Sequence, residues 1–202
     1  MNILLLNGLP EEYDGAALSA DFRNMIQVEQ VMRDDDLTDT QKMIASLNLL
    51  YPEIPADAEK AVKGLIWFFT RGKDDAEEDS KNGNSASKSF DFDQDAEKIF
   101  AAFYATYGIS LSTIDYLHWW EFMALLEGLP EKTLIKRVMY WRTADLSKLH
   151  KEERKHVQAM RRLFALKQAS KKLGSIEEVN KRTLDRVADR FAAAQRALKN
   201  KK

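Results

Sequence analysis

Ser110-Leu-Ser-Thr-Ile-Asp-Tyr-Leu-His-Trp-Trp-Glu-Phe-Met-Ala-Leu-Leu-Glu-Gly-Leu-Pro130 is the stretch on which the fold turns. Trp119, Trp120, Phe122, Met123, Leu125 and Leu126 place apolar side chains on nearly every helical bearing. A helix that is apolar most of the way round belongs in the middle of a domain, covered by neighbours on several sides. Ser112 with Asp115 reads as its N-terminal cap and Gly128 as its end, which predicts a helix over Ser112 to Glu127.

Both flanks carry further helical patterns. Upstream, Asp91, Asp93 and Asp95 crowd a helix start, where exposed N–H groups favour negative charge. Ile99, Phe100, Phe103, Tyr104 and Tyr107 follow as the apolar face, with Gly108 as the stop. Downstream, Pro130 reads as the first turn of a helix lined by Leu134, Ile135, Val138, Tyr140 and Trp141. A basic helix is expected from about Leu146 to Leu173. After Gly174, the capping box Ser175-Ile-Glu-Glu178 opens an Ala-rich helix to about Leu198.

Toward the N-terminus, Met1 to Leu6 and Ala16 to Phe22 flank turn signals at Asn7-Gly8-Leu9-Pro10 and Asp14-Gly15, which predicts a small hairpin. Phe22, Met25, Ile26, Glu29 and Met32 are spaced for a helix ending at Asp34-Asp35-Asp36. Those three acids lack the alternation and the closing glutamate of a calcium loop. Thr38-Asp-Thr-Gln41 is a capping box for a helix presenting Met43, Ile44, Leu47 and Leu50. Ala58, Ala61, Val62, Leu65, Ile66 and Phe69 mark another, stopped by Gly72. Residues 73–89 hold five acids and no large apolar side chain before Phe90, and read as a flexible linker or loop.

The expected fold is therefore mainly α: a multi-helix bundle with a small N-terminal β-hairpin and a long C-terminal αα-hairpin. Its parts are 1–72, an N-terminal helical part with the hairpin; 73–89, the acidic and polar linker; 90–145, the aromatic helical core; and 146–202, the basic helical hairpin. At 202 residues, with 45% hydrophobic and 31% charged residues, the chain has the balance of a soluble globular protein. It contains no cysteine, which excludes disulfides, thiolate metal sites and a cysteine nucleophile. Ile3-Leu4-Leu5-Leu6 is too short, and lacks the basic leader, for a signal peptide. No apolar run approaches the roughly 20 residues that span a bilayer, so no membrane partner is expected.

Charge is divided unevenly. Residues 1–144 hold 14 Lys+Arg against 25 Asp+Glu, a net of −11, whereas residues 145–202 hold 17 against 7, a net of +10. Such a chain suits an acidic partner, head-to-tail self-association, or simply a solvated basic helix. The basic region has the electrostatic footprint of a nucleic-acid binder but little aromatic interleaving, and no helix-turn-helix pattern.

Residues with chemical potential are few. His118 and Glu121 are at i, i+3 and supply only half a metal site. A histidine among aromatics is better explained as a structural donor, and Trp119 and Trp120 as core rather than a stacking platform. Asp91, Asp93 and Asp95 are more cheaply explained by the helix start than by a divalent ion. His150 and His156 look solvated. No phosphate loop, zincin motif or nucleophile elbow occurs. No catalytic, cofactor-binding or metal residue is assigned, and no cofactor.

Phe103-Tyr-Ala-Thr-Tyr107-Gly-Ile-Ser-Leu111, Leu117-His-Trp-Trp-Glu-Phe122, Leu125-Leu126 and Leu129-Pro130 resemble the bacteriophage gene-product-fifteen family of tailed phages of Gram-positive hosts. Asp21-Phe-Arg23, Phe68-Phe-Thr-Arg-Gly72, Trp141-Arg142 and Asp145-Leu146 resemble its other landmarks, in the same order. Ser110 stands where the family leads one to expect an acid, and Trp141 where it leads one to expect tyrosine. The resemblance covers roughly residues 1–165. It implies genes lying between those of the major tail protein and the tape measure, and with them a tail assembly chaperone that binds the tape-measure protein in the host cytoplasm without being an enzyme. A structural tail component and a nucleic-acid-associated protein are the alternatives. No catalytic or ligand residue comes with the family.

Overall fold

The computed structural model describes residues 8–73 and 89–167. The chain divides into two compact units, Met1–Asp34 with Asp39–Leu166, and Asp35–Thr38 with Lys167–Lys202. The first is described below; most of the second, including the predicted Ile176 to Leu198 helix, lies outside the described residues. So do residues 74–88 of the predicted 73–89 linker, and so does the predicted first strand at Met1 to Leu6.

The fold is mainly helical with one small antiparallel sheet. The hairpin joins β1 (Glu12–Tyr13) to β2 (Ala16–Ala17), with Glu12 opposite Ala17 and Tyr13 opposite Ala16. Its turn residues Asp14 and Gly15 both take positive φ, 51° and 80°. That is the two-residue geometry whose twist matches the strands, and Asp-Gly is the pair that adopts it most readily. The hairpin of the described residues thus turns at Asp14-Gly15, the second of the two turn signals.

Seven α-helices follow among the described residues. Helix α1 (Phe22–Met32) starts at Asp21, whose carboxylate accepts the Arg23 N–H at 2.9 Å. Helix α2 (Asp39–Leu50) packs beside it, and α3 (Ala58–Phe69), capped by Asp57, packs against α2. At Gly64 on α3 a Cβ would stand 2.1 Å from the Tyr51 hydroxyl and 2.6 Å from the Tyr13 ring, so only glycine lets both tyrosines close over the helix. Helix α4 (Ala96–Tyr107) ends at Gly108 in the left-handed conformation. Helices α5 (Trp119–Glu127), α6 (Leu134–Thr143) and α7 (Lys151–Leu163) complete the unit.

Three predicted helix starts move. The central helix begins at Trp119, not Ser112, because Leu117 and His118 are extended: Phe22 N–H donates to Leu117 O and Trp119 N–H to Ala20 O, both at 2.9 Å. Pro130 opens a turn closed by Thr133, whose N–H and hydroxyl both donate to the Pro130 carbonyl, and α6 starts only at Leu134. The basic helix begins at Lys151, after a short 3-10 turn at Leu146–Lys148, and closes at Leu163.

One core unites residues on both sides of 74–88. Met25, Leu50, Phe68, Phe103, Trp119, Phe122 and Ile135 are among its largest enclosed side chains. A second, smaller cluster joins α6 to α7 through Val138, Trp141 and Val157, with Phe164 stacked on Trp141. Apolar spacing overstates what is covered. Ile44, Ile66, Phe100, Tyr104, Leu134 and Tyr140 are exposed, although each falls on or beside a predicted face.

Candidate functional site

The residues with the most chemical potential are bonded into the fold. His118 is the N-cap of α5, not a mid-helix residue. Its Nδ1 accepts the Trp120 N–H at 3.0 Å, so the ring proton sits on Nε2 and donates to the Pro10 carbonyl at 3.0 Å. The Trp120 bond needs the neutral imidazole, because only an unprotonated Nδ1 can accept. Burial lowers the His118 pKa, outweighing the upward pull of Pro10, Glu11 and Glu121. With Glu121 at the third position of α5, the pair forms the start of a helix rather than half a metal site.

Trp119 and Trp120 are both buried, as core aromatics should be. Their indole N–H groups also donate to Phe69 O at 3.1 Å and Phe68 O at 2.9 Å. These are the last residues of α3, whose carbonyls have no partner within their own helix. Adjacent tryptophans at one helix start thereby close the end of another. Arg71 just beyond forms a two-pronged ion pair with Glu127 at the far end of α5, at 3.1 and 2.5 Å.

Asp21 and Arg23 hold the turn before α5. Arg23 donates to Asp21 at 2.9 Å, to Ile114 O at 2.6 Å and to Leu111 O at 3.3 Å, while Asp21 accepts the Leu117 N–H at 3.4 Å.

Asp95 is the largest departure from the sequence reading. It does not cap α4: its carboxylate is fully buried and receives Arg142 of α6 in two bonds, of 2.5 and 3.1 Å, together with Lys98 at 3.0 Å. Burial raises its pKa, but the hydrogen bonds from Arg142, the Asp91 N–H and Lys98 outweigh it, so the net shift is downward. Arg142 also donates to Phe164 O and Ser89 O, which ties α4, α6 and the end of α7 together. Asp91 takes the turn-capping role, accepting the N–H groups of Asp93 and Gln94 at 2.9 Å. The signal for this pair was present in the spacing. Asp95 is in phase with Ile99 and Phe103, and Arg142 with Ile135 and Val138.

His150 and His156 are exposed on the basic segment, His156 with its ring against Trp141. Among the described residues no three His, Cys, Asp or Glu are placed to hold a metal ion, and no helix is long and apolar enough to cross a membrane.

What the fold leaves open is a groove of about 250 Å³ between α1, α4, α5 and the turn at Leu111-Ser112. Phe22, Phe92, Ile99 and Phe122 form its buried floor; Ile26, Leu111 and Phe100 form its apolar rim. Phe100 is 38% exposed and stacks on Tyr104, itself 61% exposed, one turn along α4. A depression of about 530 Å³ beside Ala16-Ala17 and Pro52–Pro55 is roomier, but no aromatic side chain lines it. The smaller groove is the better candidate, since apolar anchors dominate the energetics of protein recognition.

A family model described as Bacteriophage Gp15 protein matches residues 6–166. No curated protein and no solved structure matches this chain.

Proposed function

The chain belongs to the bacteriophage Gp15 protein family, and from that membership we propose that this phage protein is a non-enzymatic tail assembly chaperone whose partner is the tape-measure protein. The observation that carries the reading is the open apolar groove. A tape measure is a very long helix-forming chain whose apolar stripes aggregate unless covered. A groove floored by buried phenyl rings and edged by the exposed ring of Phe100, on a rigid helical frame, is suited to covering such a stripe. The family landmarks support the same reading from the other side. His118, the paired tryptophans, Asp21-Arg23 and Arg142 all act on the frame that holds the groove, and none is left over for a reaction.

Co-expression with the tape-measure protein of the same phage genome tests this. The expected result is a soluble complex that purifies as one species. A tape measure that stays insoluble and unbound beside a folded, soluble partner would sink the proposal.

A further inference from the structure

Resting on that reading, we propose that the groove between α1, α4 and α5 docks an amphipathic helix whose apolar stripe is flanked by lysines and arginines, a stretch of the tape-measure protein in the tail-assembly reading. The groove has room for a pair of large apolar side chains but not for a whole helix. An incoming helix therefore lies along the surface and inserts anchors at i and i+3 or i+4, the spacing that puts them on one face. Phe100 and Tyr104, with rings 6.4 Å apart and nearly parallel, extend the contact one turn beyond the groove.

Charge beside the groove selects the flanks. Asp93, Glu97 and Glu121 are exposed and adjoin the groove residues Phe92, Ala96 and Phe122 in the chain. The cations that adjoin groove residues in the chain, Arg23 beside Phe22 and Lys98 beside Ile99, are already engaged, Arg23 by Asp21 and two carbonyls and Lys98 by Asp95 and the Gln94 carbonyl. The border is thus negative. Lysine and arginine can lay their aliphatic stems on the apolar rim and carry their charges to these carboxylates. A stripe flanked by acids would meet like charge at the same positions.

Two designed peptides of about 20 residues, roughly 30 Å as helices, test this. Each has the same leucine stripe, flanked by lysines in one and by glutamates in the other. The lysine peptide should bind the full chain, weaken as salt rises, and lose about tenfold in affinity, ~1.4 kcal/mol, to Phe100→Lys. It should lose similarly to Glu97→Lys with Glu121→Lys, exposed positions that decide the matter if Phe100→Lys does not fold. Ile66→Lys, exposed on α3 outside the groove, should bind normally. Equal binding of both peptides, or no loss in either groove variant, overturns the proposal.

Co-expression separates its failure from that of the tail-assembly reading. Capture of the tape measure by the wild type and not by Phe100→Lys supports both. Capture by both proteins overturns the groove and leaves the chaperone reading standing. Capture by neither overturns the chaperone reading, while the peptides still report on the groove. A dimer of the wild type that Phe100→Lys abolishes gives the groove to a second copy and overturns the proposal.

Discussion

His118 holds two backbone groups at once, the Trp120 N–H and the Pro10 carbonyl, and it can do so only while neutral. Protonation would turn Nδ1 from acceptor into donor against an N–H it now receives. Its folded pKa lies below the ordinary value of 6.5, so its contribution to stability is complete above that pH and is lost as pH falls below it toward the folded value. Asp95 adds a second loss. Its folded pKa lies below 3.8, so its contribution is present above that value and fades as pH falls through the lower one. Thermal melts across pH should show Tm falling first below about 6.5 and again in stronger acid. In His118→Asn, which keeps a capping oxygen but cannot titrate, the first decline should flatten. The variant should also cost about 1–3 kcal/mol for the Pro10 carbonyl left without its donor. An unchanged slope between pH 5 and 6.5 would assign the titration to another group.

At the scale of elements, helix ends explain more than helix faces. The α3 C-terminus is finished by indoles from α5, the α5 N-terminus by a histidine, and the turn between α4 and α5 by an arginine from α1. Trp119→Phe keeps the stacking on Phe69 and Phe122 but removes the bond to Phe69 O and part of the ring volume. Its expected cost is about 2 kcal/mol, which should lower Tm by roughly 4–8 °C for a chain of this size. A Tm within a degree of the wild type would mean that the ring packs without fastening α3. The starts of α1 and α3 were legible in apolar spacing that begins at Phe22 and Ala58, and Asp21 and Asp57 cap them there by accepting N–H groups two and three residues away. The start of α5 was not, because Ser112-x-x-Asp115 has the local chemistry of a cap and is overruled from outside. Pairing of Leu117–Trp119 with Ala20–Phe22 holds the segment extended until His118.

For the whole molecule, the net −11 of residues 1–144 against the +10 of residues 145–202 permits head-to-tail self-association, which we propose as a test of that charge division. Light scattering across a salt series should then show dissociation as ionic strength shortens the reach of surface charge. The association should survive Phe100→Lys, since it rests on charge and not on the groove. A particle size independent of salt would count against it. Packing across the sequence is also where apolar spacing ran out. Tyr104 and Ile66 are spaced like core residues and stay exposed, while Phe68, one position from the predicted face, is fully enclosed. Helical period narrows a face to an arc, and only the neighbouring helices choose which edge of that arc is covered.

Local physics reached from the sequence alone to the mainly helical class, the ends of α1, α3 and α4, the Asp14-Gly15 turn signal, and the burial of Trp119 and Trp120. Each depends on a few consecutive residues and on interactions that act within one turn of chain. The tertiary structure decided the rest. It shortened the aromatic helix to Trp119–Glu127, turned Asp95 inward to meet Arg142 across 47 residues, and left Phe100 on the rim of an open groove. Those outcomes depend on partners far apart in sequence. Burying a carboxylate, or leaving a phenyl ring in water, is settled by what stands opposite it and not by its chain neighbours.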